Sequence, residues 1–184
     1  LQELLVIIIK FKMKKPLILV TNDDGIDSRG IKYLVSIMID FGEVIVVAPD
    51  SPKSGMGHAI TVGDKLSLVK SDLYDGIESY KCSGTPADCV KIAKHHVLKN
   101  KKIDLIVSGI NHGSNSSISV LYSGTMSAAI EGAIENIPSI GFSLCDYDPD
   151  AYLKHSKPFI KIVVENALKS GIPESIALNV NIPS

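Results

Sequence analysis

The chain has few cysteines, almost no net charge and no apolar run long enough to span a bilayer, and each shortage removes a class of function. The three cysteines, Cys82, Cys89 and Cys145, are odd in number and show no Cys-x-x-Cys spacing. Neither a disulfide framework nor a thiolate zinc site is suggested. Reduced thiols that fill the core are the simplest reading, and they point to a cytoplasmic protein. A net charge of −1 gives no electrostatic case for a nucleic-acid polymer or a membrane surface as partner. The run Leu4 to Ile9 is too short to cross a bilayer, and no small-residue cleavage site follows it. Internal repeats, coiled-coil heptads and low-complexity tracts are lacking as well.

What is present suits one domain. At 184 residues the chain can bury a sizeable core, and 45% hydrophobic with 21% charged residues is ordinary globular composition. Met13-Lys14-Lys15-Pro16 looks like a natural start, so residues 1–12 are expected to be a leader outside the fold and residues 13–184 a single α/β domain. The other end looks cut, since Asn181-Ile182-Pro183-Ser184 directly follows a strand-like run.

Apolar runs of four to six residues alternate with helix-period segments, the pattern of a mostly parallel sheet covered by helices on both faces. Strands are expected at Leu17 to Val20, Val44 to Ala48, Ile103 to Val107, Pro138 to Leu144 and Ile176 to Val180, with a hairpin between Leu66 and Cys82 turning at Asp75-Gly76. Helical faces are expected at Ile31, Leu34, Val35 and Met38, and at Met126, Ala129, Ile130 and Ala133 with Ile134 beside them. Thr85 is a plausible N-cap with Pro86 at the first helical position, opening a helix to about Leu98. A last helix covers Pro158 to Leu168.

In such a sheet the loops after successive strands open on one edge, where ligands bind. Three of these loops are polar beyond the needs of a turn: Asn22 to Ser28, Pro49 to His58 and Ser108 to Gly124. Together they offer the carboxylates of Asp23 and Asp24, the Ser54 hydroxyl and the amides of Asn111 and Asn115. This all-oxygen set suits Mg²⁺, Mn²⁺ or Ca²⁺ rather than zinc. Each member also has a plainer reading, because Asn, Asp and Gly are the usual turn formers. His58 and His112 lie in the same loops as candidate proton carriers or phosphate contacts. Tyr122-Ser123-Gly124-Thr125 before a helix would present unpaired N–H groups to an anion, although it lacks the Gly-Lys-Ser/Thr ending of a Walker loop.

Five ordered blocks carry a resemblance: Thr21-Asn22-Asp23-Asp24-Gly25 with Gly30-Ile31; Ala48-Pro49 with Ser54-Gly55 and Thr61; Ser83-Gly84-Thr85-Pro86-Ala87-Asp88-Cys89-Val90; Ser108-Gly109-Ile110-Asn111-His112-Gly113-Ser114-Asn115; and Tyr122-Ser123-Gly124-Thr125 with Glu131-Gly132. Over residues 13–184 the chain resembles the SurE family of metal-dependent nucleotidases. The resemblance implies a Rossmann-like α/β fold and hydrolysis of nucleoside 5′- and 3′-monophosphates, with short polyphosphate as a further substrate. It places the metal ligands on Asp23, Asp24, Ser54 and Asn111, with Mg²⁺ or Mn²⁺ as the cation. It also implies a C-terminal arm used in dimer and tetramer assembly, and this sequence ends before that arm would be complete.

On this reading Asp23 and Asp24 are the catalytic pair, one of them doubling as general base. Asn22, Asn115 and the turn of Ser123, Gly124 and Thr125 are expected to meet the phosphate, and Ser83, Gly84 and Thr85 the nucleoside. Two other classes remain open. A receiver-type signalling domain also places an acidic pair after its first strand, but it needs an Asp and a Lys at later strand ends where this chain has Ser108-Gly109 and Ser143-Leu144. A non-catalytic nucleotide-binding module would use the acidic pair structurally.

Overall fold

A computed structural model describes residues 15–148 and 150–184. The leader expected over residues 1–12 lies outside the described residues. Seven strands form one sheet in the order β3-β4-β2-β1-β5-β6-β7. They are β1 (Leu17–Thr21), β2 (Glu43–Pro49), β3 (Leu68–Ser71), β4 (Glu78–Cys82), β5 (Leu105–His112), β6 (Ser139–Leu144) and β7 (Ala177–Ile182). Every neighbouring pair is parallel except the expected hairpin of β3 and β4. The expected mostly parallel α/β sheet is the observed one.

The helices are α1 (Arg29–Met38), α2 (Pro86–Ile92), α3 (Gly124–Ile134) and α4 (Lys157–Ser170). Strand alternation sorts them onto two faces. Ile18 and Val20 of β1 join a core with Ile31 and Leu34 of α1 and with Ile160 and Val164 of α4. Leu17 and Leu19 point the other way, into a core with Cys89 and Val90 of α2 and Ala128 of α3. A strand buried on both faces needs apolar residues at every position, which explains the unbroken Leu17-Ile18-Leu19-Val20 run.

Three sequence expectations are corrected. Residues Ser108 to His112 are strand rather than loop, because β5 starts later than expected, at Leu105, and keeps pairing with β6 to His112. The ladder slips between Ser108 and Asn111, and the polar residues of this stretch lie at the sheet's end, where they need not join the core. The helix opened by Thr85 narrows to α2 and then continues as a π-helical turn over Ala93–Val97, with Leu98 N–H donating to the Ala93 carbonyl at 2.7 Å. Ile134 of α3 is 61% exposed and Ile130 only partly buried. Instead α3 faces the sheet with small residues: a Cβ on Gly132 would stand 2.1 Å from Ser139 Oγ, leaving no room there for an isoleucine.

Gly30 in the first turn of α1 plays a similar part on the opposite face. A Cβ there would lie 2.0 Å from the carbonyl oxygen of Ile110, a backbone atom next to Asn111. Gly30→Ala must therefore push α1 away from β5. Urea unfolding is expected to show a loss of roughly 1–3 kcal/mol, the usual consequence of overpacking.

Candidate functional site

The crevice lies at the carboxyl edge, beyond the ends of β1, β2 and β5. Its lining includes Asp23, Asp24, Ser54, Asn111, Asn115 and Ser123 around a hollow of about 330 Å³. Larger hollows exist, one of about 670 Å³ at the opposite edge beside Pro16, Phe41 and Leu168. The choice between them rests on chemistry, since the candidate cation ligands meet only in the smaller one.

Asp23 follows β1 directly and is 3% exposed. Burial pushes its carboxyl up to about 6, against the Thr125 hydroxyl, which donates to Oδ1 at 2.6 Å and favours the charged form. The charge of Asp24 adds to the upward push, and the Thr125 backbone N–H opposes it. The first turn of α3 thus presents its N–H to Asp23, as helix N-termini do to anions. Gly124 makes the approach possible: a Cβ there would stand 2.4 Å from the Asp23 Cβ.

Asp24 is more open. Burial raises its pKa too, while the charge of the His112 ring and the Ser54 hydroxyl pull it down. Ser54 Oγ lies 3.5 Å from Asp24 Oδ1, too long for a firm O–H···O bond, so both oxygens keep lone pairs free. Asn111 donates its Nδ2 to the carbonyls of His112 at 3.1 Å and Gly113 at 2.8 Å. Those bonds fix the amide and leave Oδ1 as an acceptor.

Asn22, 1% exposed, builds the turn. Its Nδ2 donates to the Gly25 carbonyl and to Ser28 Oγ, both at 2.9 Å, and Gly25 takes φ +95°. Asn22 is not part of the crevice lining, and its buried Oδ1 has no hydrogen-bond partner among the described residues. The same correction applies to Gly124 and Thr125, which stand behind Asp23 rather than in the crevice. Ser123 does line it, while its hydroxyl also caps α3 by accepting from Met126 N–H at 3.0 Å.

Ser83, Gly84 and Thr85 also lie outside that lining. Thr85 instead closes a capping box with Asp88 and donates its hydroxyl to the Ala59 carbonyl at 2.8 Å. Burial draws Asp88 upward, but hydrogen bonds from Thr61 and Thr85 outweigh it and hold the carboxyl low. This end of α2 anchors the 49–61 segment.

Asn115 lines the crevice but is heavily engaged. Its Nδ2 donates to Ser143 Oγ at 2.9 Å, its N–H to Asn181 Oδ1 at 2.8 Å, and its carbonyl accepts from Asn179 Nδ2 at 2.8 Å. The two β7 asparagines went unread in the sequence, although their alternation marks one face of a strand. Tyr147 was missed as well. It follows β6 at the same edge, and its ring sits where a Cβ on Gly113 would be, 2.3 Å from Cε1.

His112 lines the crevice, whereas His58 turns away from it to Glu131. Among the described residues no three His, Cys, Asp or Glu side chains cluster as a metal site. A cation here would depend on two carboxylates completed by the Ser54 and Asn111 oxygens. That donor set fits a hard cation, and a carboxylate as buried as Asp23 with a second acid beside it calls for a positive charge.

The fold and crevice define a Rossmann-like α/β domain with an oxygen-rich candidate site at the carboxyl edge. The family model described as survival protein SurE matches residues 18–184, and the chain belongs to that family. It is 66% identical over 172 residues to a Cytophaga hutchinsonii protein named 5′-nucleotidase SurE, covering 94% of this chain and 66% of that protein. A protein of the same name from Christiangramia forsetii is 60% identical over 172 residues, covering 92% of this chain and 66% of that one. The crystal structure of the SurE protein from Aquifex aeolicus superposes with a TM-score of 0.82 at 40% identity, over 91% of this chain and 66% of that one. The chain thus spans 66% of the length of these relatives.

Burial of Asp23 predicts a pH-dependent stability. A carboxyl whose pKa rises from 3.8 to about 6 on folding favours the fold fully below pH 3.8, and that contribution is lost as pH rises through 6. Asp23→Asn keeps an acceptor for Thr125 and removes the charge. In chelator at pH 8 it is expected to stabilise the chain by about 3 kcal/mol in urea unfolding, the gain vanishing below pH 4.

Proposed function

We propose that the chain carries the catalytic core of a metal-dependent phosphatase acting on nucleoside 5′- and 3′-monophosphates, with short polyphosphate as a further substrate class. The observation that carries this reading is the convergence of Asp23, Asp24, Ser54 and Asn111 on one crevice, in a family whose relatives are named 5′-nucleotidase. A hollow of about 330 Å³ is also of the order a small ligand needs.

Asp23, Asp24, Ser54 and Asn111 would hold Mg²⁺ or Mn²⁺. When bound, such a cation supplies Lewis-acid polarisation of a phosphoryl oxygen and lowers the pKa of water. The residues themselves do the rest. Asp23, fixed by Thr125, brings negative charge that draws the cation and holds it in one place. Asp24, more open to the crevice, is the acid positioned to take a proton from the attacking water. The Ser123 hydroxyl offers a donor to a phosphoryl oxygen, and Asn115 braces the rim. Three free thiols accord with a reducing, cytoplasmic setting, and homodimer or homotetramer assembly belongs to the same proposal.

Phosphate release from AMP tests the reading. Asp23→Asn and Asp24→Asn are each expected to lower it at least about a hundredfold, and chelation should abolish it until Mg²⁺ or Mn²⁺ is restored. Full activity after both substitutions and after chelation would overturn the metal mechanism. Tight AMP binding without turnover in the wild-type chain would instead favour the non-catalytic module.

A further inference from the structure

His58, which turns away from the crevice but sits in the loop that carries Ser54, is left unused by the reaction, and its partner Glu131 is a buried carboxylate with no part in the chemistry. Glu131 sits in α3 at 3% exposure, and both of its oxygens are taken. Oε2 meets His58 Nε2 at 2.9 Å, and Oε1 accepts from Lys91 Nζ at 2.7 Å. A carboxylate at that depth needs such partners, and only one of them, His58, belongs to the loop that carries Ser54.

That loop is held at its ends and open between them. Lys53 N–H donates to the Asp23 carbonyl at 2.7 Å, and Gly57 N–H donates to the Tyr122 carbonyl at 3.2 Å. Gly57 lies so close to the chain that a Cβ there would stand 2.7 Å from the Leu121 carbonyl oxygen. Ser54, Gly55 and Met56 between these anchors are exposed. His58 is the first side chain after Gly57 and ties the loop's downstream end to α3, the helix that also fixes Asp23 through Thr125.

We infer that the His58–Glu131 pair is a clamp that sets the position of Ser54 relative to Asp23, which makes His58 a positioning residue for the cation-binding set. The inference rests on Ser54 being a ligand, as proposed above. Lys91 balances Glu131 from α2 and makes no hydrogen bond or ion pair to the loop among the described residues, so the two partners of one carboxylate have separable roles: Lys91 serves stability and His58 serves geometry.

Hydrogen exchange over residues 52–58 and calorimetric Mn²⁺ binding, both on the full chain, test this without any turnover assay. His58→Ala is expected to speed exchange in that segment and to weaken Mn²⁺ binding roughly tenfold, the low end of what loss of a ligand-orienting group produces. His58→Gln, which keeps a donor, should recover most of both. Lys91→Met should lower the melting temperature while leaving loop exchange and Mn²⁺ affinity at wild-type values. Unchanged exchange in His58→Ala, or equal loosening of the loop by Lys91→Met, would overturn the clamp. If the wild-type chain takes up no Mn²⁺, the metal reading falls and the exchange data alone decide whether His58 holds the loop.

Discussion

A carboxylate that must stay buried governs this site. Asp23 emerges from the central strand of the sheet into a place with almost no water, and burial there favours its neutral form. Three donors from two residues answer it. The Thr125 hydroxyl and backbone N–H meet the side chain, and the Lys53 N–H takes its carbonyl. One residue thereby joins β1, the start of α3 and the loop after β2. Those are the parts that must be in register for any ligand spanning the crevice to find its donors.

The position of α3 follows from the same constraint. For Thr125 to reach Asp23 the helix must lie close over β5 and β6, so its inner face has little room for side chains. Gly124 abuts the Asp23 Cβ and Gly132 abuts Ser139, while on the sheet side Gly141 leaves space for Met126 Sδ. The bulkier Ile130 and Ile134 are displaced toward solvent, and polar Glu131 takes a buried place because Lys91 and His58 bond both of its oxygens. Packing density and site geometry are here a single requirement.

Most of the fold could be read from the sequence, because a buried parallel strand must be apolar throughout and a covering helix must repeat every three or four residues. Those rules placed β1, β2, β6 and α1 closely. They failed where polar residues served the site. Ser108, Gly109 and Asn111 read as loop because a strand end that lines a crevice needs no apolar alternation. On α3 they placed Met126, Ala129 and Ala133 inward, as observed, but wrongly added Ile130 and Ile134 to that face. The crevice residues Asp23, Asp24, Ser54 and Asn111 were legible because topology sends the loops after β1 and β2 and the end of β5 to one edge. Whether a hydroxyl or amide faces the crevice or its own backbone was not legible, since both uses favour the same residue types. Asn22, Thr85 and Thr125 are spent on the scaffold for that reason.

The two adjacent acids end up unequal, and the difference comes from what surrounds each. Asp23 is nearly sealed and bonded on several sides, so moving it would disturb strand, helix and loop together. Asp24 borders the crevice, with Ser54 Oγ 3.5 Å away and the His112 ring lowering its pKa against burial. A group that must exchange protons with a substrate or with water needs access as well as charge, and a group that must hold a cation in one place needs rigidity. Burial therefore divides the pair: Asp23 suits holding and Asp24 suits reacting. Sequence adjacency cannot make that distinction, because it shows two identical carboxylates and neither wall of the crevice.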